Sequence, residues 1–133
     1  MTKETLERCR AYKYEIETKE EERERLRSEI ERVTQVLSMT PGGGRNADKM
    51  TSQMAKLLEL ECDLMTDIIT RSAYVRQIDQ WLETLQPEER MIMRLRYVDG
   101  LSWGQVERKA GYSDSANGKT AWAIQKRIFK KMP

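Results

Sequence analysis

The sequence predicts an all-α protein, in which a long antiparallel, coiled-coil-like helical hairpin is followed by a small three-helix domain. Charged residues make up 35% of the chain and aromatic residues only 7%, as in many helical proteins. Two long segments lack both glycine and proline, and a short segment rich in both separates them. After residue 86 the segments become short and carry helix-capping residues. We therefore expect a hairpin over 1–86 and a small domain over 87–133.

The first long helix is predicted over residues 2–38, which are rich in the strong helix formers Glu, Arg, Lys and Leu. Its apolar residues recur with the spacing of a coiled-coil seam, and Lys19 and Arg23 interrupt that spacing. The seam residues are Cys9, Tyr12, Ile16, Leu26, Ile30, Val33 and Leu37.

Residues 39–47 contain Pro41 and three consecutive glycines, which predict a loop. A second helix is predicted from Asp48, as its N-cap, to Gln86. Its seam alternates steps of four and three residues, and the short loop favours antiparallel packing on the first helix. The seam positions are Met50, Met54, Leu57, Glu61, Leu64, Ile68, Arg71, Val75, Ile78, Leu82 and Leu85.

Charged seam positions predict the register of the hairpin. If Leu37 lies near Met50, then Arg23 and Arg27 fall near Glu61, and we expect a salt bridge there. The second helix also carries a separate apolar flank that one partner helix does not cover. We expect a homo-oligomer, with a dimer favoured and the C-terminal domain as the alternative partner. The flank consists of Leu58, Cys62, Met65 and Ile69.

Three short helices are predicted in the last third. Pro87, followed by Glu88 and Glu89, suits a helix start, and Asp99-Gly100 suits its end. Ser102 and Gln105 match a capping box, and Gly111 ends the helix that follows. Ser113 or Ser115 is expected to cap the third helix. Expected core residues are Met91, Ile92, Leu95, Val98, Trp103, Ala121, Ile124, Ile128, Phe129 and Met132.

Charge and composition restrict the function. Residues 87–133 contain ten Lys/Arg and five Asp/Glu, so the positive excess lies in this domain. The chain has no histidine and its two cysteines form no CxxC pair, so we expect no catalytic residues, metal or cofactor. The charged N-terminus matches neither a signal peptide nor a membrane span, which favours a cytoplasmic protein.

Three helices with a glycine turn before a basic last helix predict a helix-turn-helix. The segment "LQPEERMIMRLRYVDGLSWGQVERKAGYS" resembles region 4 of sigma-70-type RNA polymerase sigma factors. In that family the helix after the glycine turn reads a promoter element in the major groove. The preceding two thirds do not resemble a sigma factor. A helical segment joined to a region 4-like end is similar to phage ArpU/RinA-type regulators of late-gene transcription.

The resemblance implies that the last helix reads DNA, although Ala121 follows Gly111 by ten residues, a longer separation than in region 4. Gly118-Lys119-Thr120 lacks the glycine spacing and preceding strand of a phosphate loop. The alternative prediction for Trp122 is that it packs against a partner protein. Base-reading candidates are Asn117, Lys119, Thr120, Trp122 and Lys126; phosphate candidates are Arg108, Lys109, Arg127, Lys130 and Lys131.

The basic helix-turn-helix pattern predicts a protein that binds double-stranded DNA. The resemblances to sigma region 4 and to ArpU/RinA-type regulators imply a sequence-specific transcription regulator of a phage, acting in a bacterial host. One alternative is a DNA-packaging subunit similar to small terminases, which also join a helix-turn-helix to oligomerising helices. The other is an adaptor that binds RNA polymerase or a sigma factor without contacting DNA.

Overall fold

The computed structural model describes residues 1–39, 44–112 and 119–132. The regular structure in these ranges is helical, and a long helical hairpin is followed by short helices, as the sequence predicts. The helices are α1 (Lys3–Met39), α2 (Gly44–Leu82), α3 (Pro87–Met93), α4 (Trp103–Ala110) and α5 (Lys119–Lys131), with a π-helical segment Arg94–Val98 directly after α3.

The predicted bounds of the second helix are wrong at both ends. α2 begins at Gly44, so the predicted loop is shorter than residues 39–47 and Asp48 lies within the helix. At the other end α2 stops at Leu82, because the chain tightens into a turn that precedes α3. There the Leu85 N–H donates to the Leu82 carbonyl at 3.0 Å.

The chain forms two compact units, and the boundaries between them fall inside α1 and α2. The core unit comprises residues 1–14 and 69–133, and the hairpin unit comprises residues 15–68. The predicted division at residue 86 does not coincide with these units, because both outer ends of the long helices contribute to the core. The buried apolar residues of the core unit are Leu6, Cys9, Ile78, Leu82, Ile92, Met93, Tyr97, Val106, Ala121, Ile124 and Ile128.

In the hairpin unit α1 and α2 run antiparallel, and polar pairs fix their alignment. The predicted bridge between Arg27 and Glu61 is present at 2.8 Å. Lys19, predicted only as an interruption of the seam, pairs with Asp67 at 2.5 Å. The Nε of Arg23, the other cation predicted near Glu61, is buried without a hydrogen-bond partner.

The face of α2 that meets α1 is rotated relative to the predicted seam. Met54 and Ile68 are exposed, so both seam assignments are wrong. Gln53 is buried instead, and its Nε2 donates to Glu29 at 2.9 Å. A search for apolar residues alone overlooks such a position, because a glutamine with a partner can be buried without a large penalty.

A π-helical segment follows α3, and the buried face of this region differs from the predicted one. The Asp99 N–H donates to the carbonyl of Arg94, five residues earlier, at 3.0 Å. Each residue of such a wider turn advances by a smaller angle than in an α-helix. Ile92 is buried as predicted, but Met91 is exposed and Met93 and Tyr97 are buried in its place. Leu95 and Val98 pack against the core while staying partly accessible.

Candidate nucleic-acid interface

Helix α4 has the predicted caps at both ends. The Gln105 N–H donates to the Ser102 hydroxyl at 3.3 Å, and the Ser102 N–H donates to the Gln105 side chain at 3.0 Å. Gly111 follows α4 with a φ of 78°, in the left-handed region that favours glycine. A Cβ on Gly111 would meet nothing within 4 Å, so the backbone conformation is what requires glycine there.

Helix α5 has one buried face and one exposed face. Ala121, Ile124 and Ile128 are buried as predicted, and Phe129 and Met132 pack partly against the same core. The exposed face carries Lys119, Thr120, Trp122 and Lys126, which are four of the five predicted base-reading residues. Asn117 lies outside the described residues, as do Ser113 and Ser115, so the predicted cap and start of this helix are not described.

A buried glutamate of α4 contacts the backbone of α5. Glu107 is fully buried, and its Oε1 accepts the Ala121 N–H at 2.8 Å. Backbone N–H groups near the start of a helix attract an acidic side chain, and here that side chain comes from another helix. The Oε2 atom is also buried and has no hydrogen-bond partner. The sequence does not predict this contact, because an isolated glutamate is expected at the surface.

A second buried polar contact holds α5 against the segment that follows α3. The Tyr97 hydroxyl donates to the Gln125 side chain, and both residues are buried. Burial, together with the charge of Glu7, raises the pKa of the Tyr97 hydroxyl well above its ordinary value. The hydroxyl therefore stays a neutral donor. The rings of Tyr97 and Phe129 also pack at a centroid distance of 6.4 Å, which adds apolar contact to the polar one.

The exposed charge of α4 and of the described part of α5 is entirely positive. The one acidic residue of α4 is the buried Glu107, and α5 contains no acidic residue. All five predicted phosphate-contacting residues are exposed. The exposed cations of the two helices are Arg108, Lys109, Lys119, Lys126, Arg127, Lys130 and Lys131.

The two tryptophans of this region differ in environment. Trp103 packs partly against the core, as predicted, and the guanidinium of Arg96 lies 4.5 Å from the centre of its ring. Trp122 is 49% exposed, and the ammonium of Lys126 lies 5.2 Å from its ring centre. Trp122 and Lys126 therefore form a paired aromatic and cationic group on the exposed face of α5.

The residues predicted to mediate self-association are all exposed. Leu58, Met65 and Ile69 on α2 have 65%, 59% and 63% of their surfaces accessible. Cys62 is exposed as well. No helix within the described ranges combines the length and apolar character needed to cross a membrane. The same ranges contain no group of three or more His, Cys, Asp or Glu residues that could hold a metal ion.

The model of one protein family, described as "Protein of unknown function (DUF722)", matches residues 10–132. Because this match covers nearly the whole chain, the chain belongs to that family. No curated protein and no solved structure matches the chain.

Proposed function

We propose that this member of the DUF722 family is a sequence-specific double-stranded DNA-binding transcription regulator that reads DNA with α5. One observation carries the proposal. The exposed face of α5 combines cationic, hydroxyl and aromatic side chains, while buried residues anchor the opposite face. The major groove of DNA admits an α-helix presented in this way. The resemblance to sigma region 4 supports transcription as the process, and the ArpU/RinA resemblance supports a phage origin and action in the bacterial cytoplasm.

The exposed residues near the start of α5 suit contacts with base edges. Lys119 and Lys126 can donate to guanine or to a phosphate, and the Thr120 hydroxyl can contact several bases. Trp122 offers an apolar surface that suits a thymine methyl group. In a helix-turn-helix, the N-terminal residues of the reading helix lie closest to the bases. We therefore assign sequence discrimination to Lys119, Thr120 and Trp122, with Lys126 one turn further along.

The remaining cations suit the DNA backbone. Arg108 and Lys109 lie in the last turn of α4, and Arg127, Lys130 and Lys131 lie towards the end of α5. Each neutralised phosphate releases counterions, so affinity falls with salt at a slope of roughly 0.9 per phosphate on logarithmic axes. These contacts supply affinity and orientation without sequence information.

The buried contacts of α5 support the same function. Glu107 holds the backbone of Ala121, and Tyr97 holds Gln125 one turn later. A reading helix held in this way loses little conformational freedom on binding, which favours affinity. Both contacts therefore position the helix without needing to touch DNA.

The experiment is to select DNA sequences from a random pool and then measure binding to the selected duplex by fluorescence anisotropy across a salt series. We expect affinity to fall steeply with salt. The Lys119→Ala/Lys126→Ala variant should lose affinity by roughly 10-fold or more and discriminate less between selected and scrambled duplexes. The matched control is Lys49→Ala/Lys56→Ala, which removes two exposed lysines of α2 and should bind as the parent does.

A second candidate, an adaptor that binds RNA polymerase, is favoured by the exposure of Trp122. Exposed aromatic residues are frequent anchors of protein interfaces. Binding to duplex DNA that is weak at low salt, together with unchanged activity of Lys119→Ala/Lys126→Ala in a transcription assay, would favour the adaptor and reject the DNA reader.

A further inference from the structure

Helix α2 has two apolar faces within the hairpin unit, and only one of them meets α1. Leu64 is buried and Leu57 and Leu60 are partly buried. The other face, here called the α2 stripe, consists of Met54, Leu58, Cys62 and Met65, and all four are exposed. We infer that a second copy of this chain covers the α2 stripe, so that α2 pairs with α2 of the copy in a two-fold dimer.

Three of the four stripe residues have the spacing of a two-helix seam. Leu58, Cys62 and Met65 are separated by steps of four and three residues, which are the steps of a coiled-coil heptad. Two helices with the same stripe can therefore interlock their side chains between Leu58 and Met65. A face that fits a second copy of itself produces a closed two-fold contact.

The charge of the surrounding surface also favours a second copy. No charged residue lies on the centre of this face between Thr51 and Met65, because Thr51, Met54, Ala55, Leu58 and Cys62 occupy it. The partner must therefore offer an uncharged surface. The outer face of α1 in the same unit does not offer an uncharged surface. Its exposed residues include Glu17, Glu20, Glu21, Glu24 and Arg25. Within the described hairpin unit, the exposed large apolar residues of α1 are Val36 and Met39, so the α2 stripe of a second copy is the longer uncharged match.

The size of the stripe sets the expected strength of the contact. Four half-exposed to largely exposed side chains amount to roughly a few hundred Å² per copy, a size that on a monomer often marks an interaction site. This is at or below the lower end of stable interfaces, which bury about 1,200–2,000 Å² in total. We therefore expect a dimer that dissociates on dilution, with a dissociation constant of about micromolar order.

The first test is sedimentation of the full chain without DNA over a series of concentrations. We expect a reversible equilibrium between monomer and dimer. Leu58→Glu places a charge at the centre of the seam, where two copies would repel, and should weaken dimerisation by at least roughly 100-fold. Glutamate is a good helix former and Leu58 is exposed, so the variant should fold, as circular dichroism would verify. The matched control is Val36→Glu, an exposed apolar residue of α1 in the same unit.

The second test uses the two cysteines. Cys62 lies in the α2 stripe and is exposed, whereas Cys9 is buried in the core unit. Dimerisation should shield Cys62, so its rate of alkylation should fall as protein concentration rises, and Leu58→Glu should abolish this dependence. Cys9 should stay unreactive throughout, because burial both blocks access and raises the pKa of its thiol.

Three outcomes would overturn the inference: a monomer at every concentration, dimerisation unaffected by Leu58→Glu, or a larger ring. A ring would also favour the DNA-packaging alternative. Because both tests omit DNA, their failure is distinguishable from failure of the proposed function. A monomeric Leu58→Glu protein that still binds duplex DNA would leave the DNA reader intact.

Discussion

The two units of the molecule are built from the same long helices but are stabilised in different ways. Of the twelve buried hydrophobic residues in the described chain, eleven belong to the core unit and one, Leu64, to the hairpin unit. The hairpin unit relies instead on half-buried apolar residues and on side-chain pairs such as Arg27 with Glu61. Exposed ion pairs contribute little, and salt screens them.

This difference shows that the formation of α1 and α2 does not determine how stable each unit is. Both helices are continuous across the unit boundaries, so backbone hydrogen bonding is similar on either side. What changes is the burial of side chains, which provides most of the stability of helices in proteins. The core unit therefore packs against the buried face of α5, while the hairpin unit leaves an apolar face of α2 exposed.

Of the predictions that test this comparison, the one with the largest expected effect is that the chain unfolds in two steps as the urea concentration rises. All three tryptophans, Trp81, Trp103 and Trp122, lie in the core unit, so fluorescence reports that unit alone. Circular dichroism reports the helices of both units. We expect the helical signal to begin falling at a lower urea concentration than the fluorescence signal, because the hairpin unit opens first. Coincident curves from the two probes would instead mean that the chain unfolds as one cooperative unit.

A pair of identical substitutions sharpens the comparison. Ile92 is fully buried in the core unit, whereas Ile30 is partly buried in the hairpin unit. Ile92→Ala should lower the free energy of unfolding of the core unit by about 2–5 kcal/mol, through lost burial and a residual cavity. Ile30→Ala should lower the free energy of unfolding of the hairpin unit by about 1–2 kcal/mol. The loss is smaller because Ile30 buries less surface and the side chains around it can relax.

Denaturant titrations followed by fluorescence and circular dichroism would measure both values. Equal losses at the two positions would contradict the view that burial distinguishes the units. A fluorescence transition altered by Ile30→Ala would show in addition that the units do not unfold independently.

Local rules were sufficient to predict the caps of α3 and α4, but not the ends of α2. Pro87 begins α3, Ser102 and Gln105 form a capping box, and Gly111 ends α4, all as predicted. Each of these features depends on neighbouring residues only. The Arg27–Glu61 bridge was predictable as well, because a short loop between two helices fixes which residues lie opposite each other.

Features that depend on distant contacts or on a change of helical period were not predictable. The core unit contains Leu6 and Cys9 from the start of α1, and no local pattern links them to α5. The exposure of Met91 and the burial of Met93 were not predicted, because they depend on which face of α3 the distant residues of the core cover. For the candidate site, the helical period of the sequence predicted which residues of α5 are exposed. The hydrogen bond from the Ala121 N–H to Glu107 was seen only in the structure.

Substitution of Glu107 tests how strongly the core unit fixes α5. Glu107→Ala removes the described acceptor of the buried Ala121 N–H, so we expect a loss of about 1–3 kcal/mol in the free energy of unfolding. Glu107→Gln keeps the acceptor and should lose less. Denaturation followed by fluorescence measures stability, and hydrogen exchange at Ala121 measures the local effect.

The two variants also bear on DNA binding. We expect Glu107→Ala to weaken binding to the selected duplex even where the protein remains folded, because α5 is less well positioned. Exchange at Ala121 that is equally protected in Glu107→Ala and the parent would show that another group holds α5.

The smallest expected effect concerns the Arg27–Glu61 pair, whose side chains remain 50% and 37% exposed. A double-mutant cycle with Arg27→Ala and Glu61→Ala should give a coupling energy of about 0.2–1 kcal/mol, falling as salt rises. The helix alignment should persist in both variants, because Lys19 with Asp67 and Glu29 with Gln53 impose the same register. Thermal melting by circular dichroism at low and high salt measures the coupling. A value well above 1 kcal/mol, or one that salt leaves unchanged, would mean that this pair does more to stabilise the hairpin unit than its exposure indicates.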